Sequence, residues 1–175
     1  MRPGQLHVAI IGAGSTGTEL AAELHRTVRA VVAYGLDRIQ PERDIRIMLV
    51  EAAPRILPAL PERISAATTE LLAQMGVEVH AGTRVSEVRA DGVLLADGSM
   101  LPAELAVWAA GVKGADFLKD LGGLETSRTN QLLTLQTTRD PTIFALGDCA
   151  SCPREGSDQP IPPRAQAAHQ QANHM

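Results

Sequence analysis

The sequence predicts an α/β fold built on a parallel sheet. Three observations indicate it: short apolar runs at residues 6–11, 45–50 and 105–110, helical apolar spacing after the first two runs, and glycines directly after the first. Strands that alternate with helices in this way form βαβ units, whose strands lie parallel. The 175 residues are enough for one such domain and part of a second.

The first βαβ unit is expected near the N-terminus. Residues 6–11 predict a strand covered on both faces, because only His7 interrupts the apolar residues there. A helix is expected next, since apolar residues recur at three- and four-residue steps. These residues are Leu20, Ala21, Leu24, Val28, Val31 and Val32. Residues 45–50 supply the second strand, which ends at Glu51.

The middle of the chain predicts one more helix and a β-meander. The helix, over residues 61–76, begins with a proline and stops at a glycine. Strand patterns follow, with Asp-Gly turns that suit hairpins. The patterns cover residues 77–79, 84–88 and 93–95, and the turns lie at 91–92 and 97–98. Residues 105–110 then return to a buried strand, so the meander serves as the crossover.

Composition and charge exclude two classes of function. The net charge is −4, no block of Lys or Arg occurs, and aromatic residues make up 2% of the chain. Nucleic-acid binding needs a positive surface or stacking rings, so no nucleic-acid partner is expected. The apolar runs are shorter than the roughly 20 residues of a membrane helix. Residues 1–7 lack an apolar signal-peptide core, so we expect a cytoplasmic protein.

A glycine motif lies between the first strand and the first helix. Gly12, Gly14 and Gly17 form G-x-G-x-x-G, in which the glycines allow a tight turn, close approach of a pyrophosphate and packing of helix on strand. The N–H groups at the start of the helix, near Ser15, attract phosphate charge. The motif therefore predicts a Rossmann-like dinucleotide-binding domain.

An acidic residue follows the second strand, where such domains bind a ribose. Glu51 lies further from Gly17 than the roughly 20 residues usual for this motif, because the helix and its connector are long. A glutamate here repels a 2′-phosphate and favours NAD(H) over its phosphorylated form. The nearby Arg55 weakens that preference.

A second ligand-binding position is predicted near the C-terminus. Residues 143–146 predict a strand that ends at Gly147 and Asp148. A carboxylate at the carboxyl end of a strand in an open α/β sheet can accept hydrogen bonds from a ligand hydroxyl. The aspartate could equally cap the following loop, and the residues alone leave both interpretations open.

Five motifs in this order resemble the flavoprotein oxidoreductases with two dinucleotide-binding domains, and most closely the type II, single-subunit, non-proton-pumping NADH dehydrogenases. They read "IGAGSTGTELAAEL", "LVEAAPRILPAL", "VWAAGVKG", "TTRDPTIFALGDCA" and "PPRAQAAHQQA". The resemblance implies an NAD(H)-binding domain over residues 1–112 and part of an FAD-binding domain over residues 113–175. It also implies a longer enzyme, with the first FAD-binding strand before this chain and an amphipathic membrane-binding segment after it.

The resemblance assigns roles on the NADH side. It implies that the NADH pyrophosphate is cradled by Gly12, Gly14, Ser15, Thr16 and Gly17. Glu51 would bind the adenosine ribose, and Ala110 and Gly111 would approach the cofactor. Glu19 would lie near the nicotinamide and the flavin, although an acid in that position also suits the helix dipole.

The resemblance assigns further roles on the flavin side. Gly147 and Asp148 would hold the ribityl and pyrophosphate part of FAD, while Gln166 and Gln170 would line the side that faces a quinone. The two glutamines share one helical face, which is equally typical of a polar surface helix. Hydride would pass from NADH to FAD and the electrons to a quinone, at the inner face of the membrane.

Two other functions remain open. Cys149 and Cys152 form a C-x-x-C pair, as in flavoprotein disulfide reductases. The second open function is that of a non-catalytic NADH-binding module. No metal site is expected, because the histidines lack ligand spacing. Finally, the apolar residues between 142 and 175 would lack their partner strands, so we expect the chain to self-associate.

Overall fold

The computed structural model describes residues 4–35, 38–133, 135–157 and 160–174. The chain divides into two compact units, the first ending at Ala110 and the second beginning at Gly111. The assignment of residues 1–112 to NAD(H) and of residues 113–175 to FAD stays a prediction.

The first unit contains the predicted helices and strands in the predicted order, with two additions, a short helix and a short strand after the second Asp-Gly turn. Its elements are β1 (His7–Ile11), α1 (Ser15–Ala33), α2 (Pro41–Asp44), β2 (Arg46–Val50), α3 (Glu62–Gln74), β3 (Val77–His80), β4 (Val85–Arg89), β5 (Gly92–Leu95), β6 (Met100–Pro102) and β7 (Leu105–Trp108). Strand β7 ends two residues before the predicted limit at residue 110, because Ala109 continues the ladder by only one bond, from its N–H to the Ile11 carbonyl.

Four of these strands form a parallel sheet in the order β3-β2-β1-β7. Ile11, the last residue of β1, lies level with Val50 on one side and with Trp108 on the other. The three strands therefore end at the same edge of the sheet, and the residues that follow them meet there. The α/β fold with a parallel sheet is confirmed.

Helices cover one face of the sheet and the meander covers the other. Ile10 and Leu49 pack on the helical side with Ala21 of α1 and Leu72 of α3. On the opposite side, the β1 and β2 residues Ala9, Ile11, Met48 and Val50 pack with Val93 and Leu95 of β5. This alternation explains why the strands read as continuous apolar runs.

The meander β4-β5-β6 is antiparallel, as the Asp-Gly turns predict. Gly92 has φ +151°, and a Cβ there would lie 2.2 Å from the Leu101 carbonyl oxygen. A larger residue at this position would separate β5 from β6, so the glycine of the first Asp-Gly turn is required by close approach as well as by conformation.

The second unit has little regular structure in its described residues. It contains 3₁₀ turns at Asp116–Asp120 and Gly147–Cys149, the short parallel strands β8 (Leu132–Leu133) and β9 (Ala150–Ser151), and the helix α4 (Ala165–His174). Its small core contains Leu118, Leu124, Leu132, Ala145 and Ala150.

The predicted strand at residues 143–146 is wrong. This segment makes one antiparallel bridge, between Phe144 and Gln136, flanked by hydrogen bonds from Ala145 N–H to the Leu135 carbonyl and from Thr137 N–H to the Ile143 carbonyl. A ladder this short does not make a strand. The apolar side chains there are correspondingly open, with Phe144 50% exposed.

Candidate functional site

The glycine turn joins β1 to α1 at the carboxyl edge of the sheet. Gly12 has φ +103°, and its N–H donates to the Val50 carbonyl at 2.8 Å. A Cβ at Gly12 would lie 2.8 Å from Ala110, and a Cβ at Gly17 would lie 1.9 Å from the Gly12 carbonyl oxygen. Both glycines are therefore required by the packing of the protein itself.

Gly14 has different surroundings. A Cβ there would have no heavy atom within 4 Å, so the turn presents bare backbone on this side. Gly14 caps α1 without a side-chain hydrogen bond, and the first turn of the helix contains no acidic residue. The N–H groups of that turn are left for an outside acceptor, and the helix dipole favours an anion. The turn fits a diphosphate.

Ser15 and Thr16 lie at the start of α1 and are exposed, while Glu19 is exposed one turn further along. Among the described residues, no side chain or backbone group bonds to the Glu19 carboxylate, so nothing in this unit fixes its position. Its predicted place near the nicotinamide and the flavin stays a prediction.

Glu51 follows β2 and holds the glycine turn with its carboxylate. Oε2 accepts the N–H of Ala13, inside the turn, at 2.8 Å, and Oε1 accepts the N–H of Ala53 at 2.8 Å. A carboxylate has about four acceptor sites, so lone pairs remain for ribose hydroxyls. The sequence predicts the ribose role, but it did not predict that Glu51 also organises the turn.

Arg55 does not compete with Glu51 for a ligand in this conformation. Its guanidinium donates from Nη1 to the Leu57 carbonyl at 3.1 Å and from Nη2 to the Pro58 carbonyl at 2.8 Å. The side chain therefore serves the loop after β2. The preference of Glu51 for a ribose without a 2′-phosphate stays a prediction, and Arg84, rather than Arg55, lines a cavity beside Glu51.

A cavity of about 170 Å³ lies at the same edge, on the side of the meander. Its lining includes Gly12, Glu51, Thr83, Arg84, Trp108 and Ala110. The indole N–H of Trp108 donates to the Ala110 carbonyl at 2.8 Å, yet the side chain is 63% exposed. Thr83, Arg84 and Trp108 were not predicted to lie at the site, although the single tryptophan directly before "AAG" is a sequence signal for Trp108.

In the second unit, Gly147 begins a 3₁₀ turn with φ +70°, and Gly111 opens the unit with φ +75°. Asp148 is exposed, and its carboxylate has no hydrogen-bond partner among the described residues. The backbone carbonyl of Asp148 accepts from Gln131 Nε2 at 3.0 Å. The carboxylate is therefore not a cap of the following loop, which leaves it available to a ligand.

The glutamines of α4 separate into two groups. Gln166 and Gln170, the predicted quinone-side pair, are both exposed. Gln171 is 8% exposed, and its Oε1 accepts the N–H of Gly147 at 2.9 Å. Gln171 thus fixes the turn before Asp148, a role that the i, i+4 spacing of Gln166 and Gln170 does not predict.

The two cysteines have free thiols and are held apart. Cys149 Sγ contacts the Leu146 carbonyl at 3.1 Å, and Cys152 Sγ contacts the Pro153 carbonyl at 3.6 Å. The two residues between them form the extended strand β9, which separates the cysteine Cα atoms by about 10 Å, beyond the reach of a disulfide. This conformation does not favour the disulfide-reductase interpretation.

In the described ranges, no group of three or more His, Cys, Asp or Glu residues could hold a metal ion. Their helices are also too short or too polar to cross a bilayer.

Comparison with known proteins gives the family. The model of the pyridine nucleotide-disulphide oxidoreductase family matches residues 2–172, so the chain belongs to that family. A type II NADH:quinone oxidoreductase of Haemophilus influenzae is 43% identical over 171 residues, which are 96% of this chain and 38% of that protein. One from Staphylococcus saprophyticus is 32% identical, over 97% of this chain and 42% of its own length.

A solved structure supports the same fold. A ferredoxin reductase from Rhodopseudomonas palustris superposes with a TM-score of 0.72 at 30% sequence identity, over 95% of this chain and 39% of its own. The resemblance to type II NADH dehydrogenases that the motifs indicate is confirmed by the curated relatives. The chain spans about two fifths of the length of those relatives.

Proposed function

We propose that this chain supplies the NADH-binding domain and part of the FAD-binding domain of a type II NADH:quinone oxidoreductase. The observation that carries the proposal is the open side of the glycine turn at Gly14, directly beside the uncapped start of α1. The names of the relatives from Haemophilus influenzae and Staphylococcus saprophyticus support the choice of reaction and of a quinone as acceptor.

The residues of the first unit bind and orient NADH. Amides at the start of α1 neutralise the diphosphate, and Glu51 accepts hydrogen bonds from the adenosine ribose while it holds Ala13 in place. Because the same carboxylate does both, ribose binding and the shape of the turn depend on each other. Glu19, one turn into α1, would face the nicotinamide half.

The residues of the second unit would contribute to FAD binding. The Asp148 carboxylate, which no described residue bonds, suits the hydroxyls of a ribityl chain, and Gln171 keeps Gly147 in the required turn. FAD, when bound, would supply the hydride acceptor and the route of the electrons to a quinone. Gln166 and Gln170 offer amide groups that can donate hydrogen bonds to a quinone carbonyl. The enzyme would work in the cytoplasm, peripheral to the inner face of the membrane.

The test compares acceptors in the whole enzyme that carries this chain. NADH oxidation is measured with a water-soluble quinone and, separately, with an aromatic disulfide. We expect turnover with the quinone only, and unchanged turnover in a Cys149→Ser, Cys152→Ser variant. Disulfide reduction that is lost in the variant would overturn the proposal in favour of a disulfide reductase. NADH binding without turnover on either acceptor would instead indicate a non-catalytic NADH-binding module.

A further inference from the structure

The side chain of Trp108 is the largest apolar surface beside the glycine turn that the function above does not use. It is 63% exposed at the end of β7, the edge strand of the four-stranded sheet, whose neighbour β1 is buried at its carboxyl end. Its polar edge is already satisfied, since Nε1 donates to the Ala110 carbonyl at 2.8 Å. What the indole offers to a ligand is therefore its flat apolar face.

We propose that Trp108 packs against the adenine ring of the bound dinucleotide and positions it. This inference rests on the proposed function and adds a contact residue to it. Trp108 and Glu51 line the same cavity at the carboxyl edge of the sheet, with Ile11 and Val50 beside them. If Glu51 accepts the adenosine ribose, the base attached to that ribose is the ring that enters this cavity.

The rest of the cavity suits an adenine. Ile11 and Val50, whose side chains are buried against the meander, give the cavity a rigid floor, while Thr83 supplies a hydroxyl that can bond to a ring nitrogen or an amino group. Arg84, which also lines the cavity, has an exposed guanidinium that can stack on a planar ring. A charged ligand group suits this cavity less well than a neutral ring, because a group of either sign would be repelled by Glu51 or by Arg84.

Trp108 is the only tryptophan of the chain, so its fluorescence reports on this cavity alone. ADP-ribose, which contains adenine and the diphosphate, should quench Trp108 emission on binding. Nicotinamide mononucleotide, which has no adenine, should leave the emission unchanged. ADP-ribose that binds by calorimetry without any change in emission would overturn the proposal.

Variants separate ring contact from support of the turn. Trp108→Ala should bind ADP-ribose at least about fivefold more weakly, as expected for a lost base–aromatic stack. Trp108→Phe keeps a ring but loses the N–H, so it should recover most of the affinity. Leu105→Ala, which removes an exposed apolar residue from the other end of β7, is the control and should bind normally.

The outcomes distinguish this proposal from the function that it rests on. If Trp108→Phe binds as weakly as Trp108→Ala, the hydrogen bond to Ala110 matters rather than the ring, and the proposal is wrong. If both variants bind ADP-ribose like the unchanged chain, the adenine lies elsewhere, while NADH binding by the turn stands. If the unchanged chain binds neither NADH nor ADP-ribose, the proposed function falls as well.

Discussion

Two alanine substitutions in the glycine turn should have opposite effects on stability, and the one at Gly14 should also weaken NADH binding. At Gly17, the new Cβ would lie 1.9 Å from the Gly12 carbonyl oxygen and 3.3 Å from Ile10 Cγ2. Ordinary contact requires α1 to retreat by about 1.5 Å. Because the obstructing atom is backbone, we expect a loss of about 2–3 kcal/mol in the free energy of unfolding, at the upper end of overpacking costs.

At Gly14, the new Cβ meets no protein atom within 4 Å, and φ is −70°. The fold should therefore be unchanged or more stable by about 0.4–1 kcal/mol, since alanine restricts the unfolded chain. The methyl group would instead occupy the space that we assign to the diphosphate. We expect NADH affinity to fall at least about tenfold, which corresponds to about 1.4 kcal/mol.

Urea unfolding measures the first effect and isothermal titration with NADH measures the second. Gly14 and Gly17 both lack a positive φ, unlike Gly122 with φ +58°, so alanine strains the backbone at neither position. Each of the two variants is therefore the matched control for the other. The reasoning is refuted if Gly17→Ala unfolds at the same urea concentration as the unchanged chain, or if Gly14→Ala folds normally and binds NADH with undiminished affinity.

Three further predictions concern other parts of the chain. Glu51→Gln should cost about 1–2 kcal/mol of stability, because the single oxygen of the amide cannot accept from both Ala13 and Ala53 as the two carboxylate oxygens do. Titration of this variant with both nucleotides should show a smaller preference for NADH over NADPH. An unchanged preference would contradict the ribose assignment. Burial and, to a smaller extent, the charge of Arg29 lower the pKa of His25 below its ordinary 6.5. The unfolded chain therefore binds the proton more readily, and the free energy of unfolding should fall as the pH drops below about 6.5 towards the pKa of the folded protein. His25→Gln should flatten this part of the stability profile measured by urea unfolding, and an equally steep profile in the variant would remove His25 as the cause. The exposed Phe144 should promote self-association, so light scattering should give a larger mass for the unchanged chain than for Phe144→Ser; a monomer in both cases would contradict that expectation.

The first unit could be predicted from sequence because local signals and packing agree there. The glycine turn predicts the start of α1. The apolar stripe of α1, which includes Ala21, is the face that packs against the sheet. The Asp-Gly pairs similarly predict the meander. Helix α2 was missed inside a polar connector, although Pro41 at its first position and the Asp44 carboxylate, which accepts the Gln40 N–H at 2.9 Å, are ordinary helix-start signals.

Only the placement of the glycines and of the acid after β2 at the carboxyl edge of the sheet could be read from the sequence, because it follows from position along the chain. Their roles toward NADH stay predictions. The bond from Ala13 to Glu51 and the shared cavity of Glu51 and Trp108 join residues that are distant in sequence. The segment at residues 143–146 failed for the opposite reason, because an apolar run alone does not show whether a partner strand lies beside it.

The most direct test of NADH binding at the glycine turn is a heteronuclear NMR titration of the isotope-labelled chain. We expect NADH to shift the amide signals of residues 13–17 and of Glu51 first and most strongly, at a concentration that matches calorimetry. Saturable NADH binding that leaves those signals in place and instead moves those of His25 and Gln74, which line a separate cavity between α1, α2 and α3, would show that the nucleotide binds elsewhere.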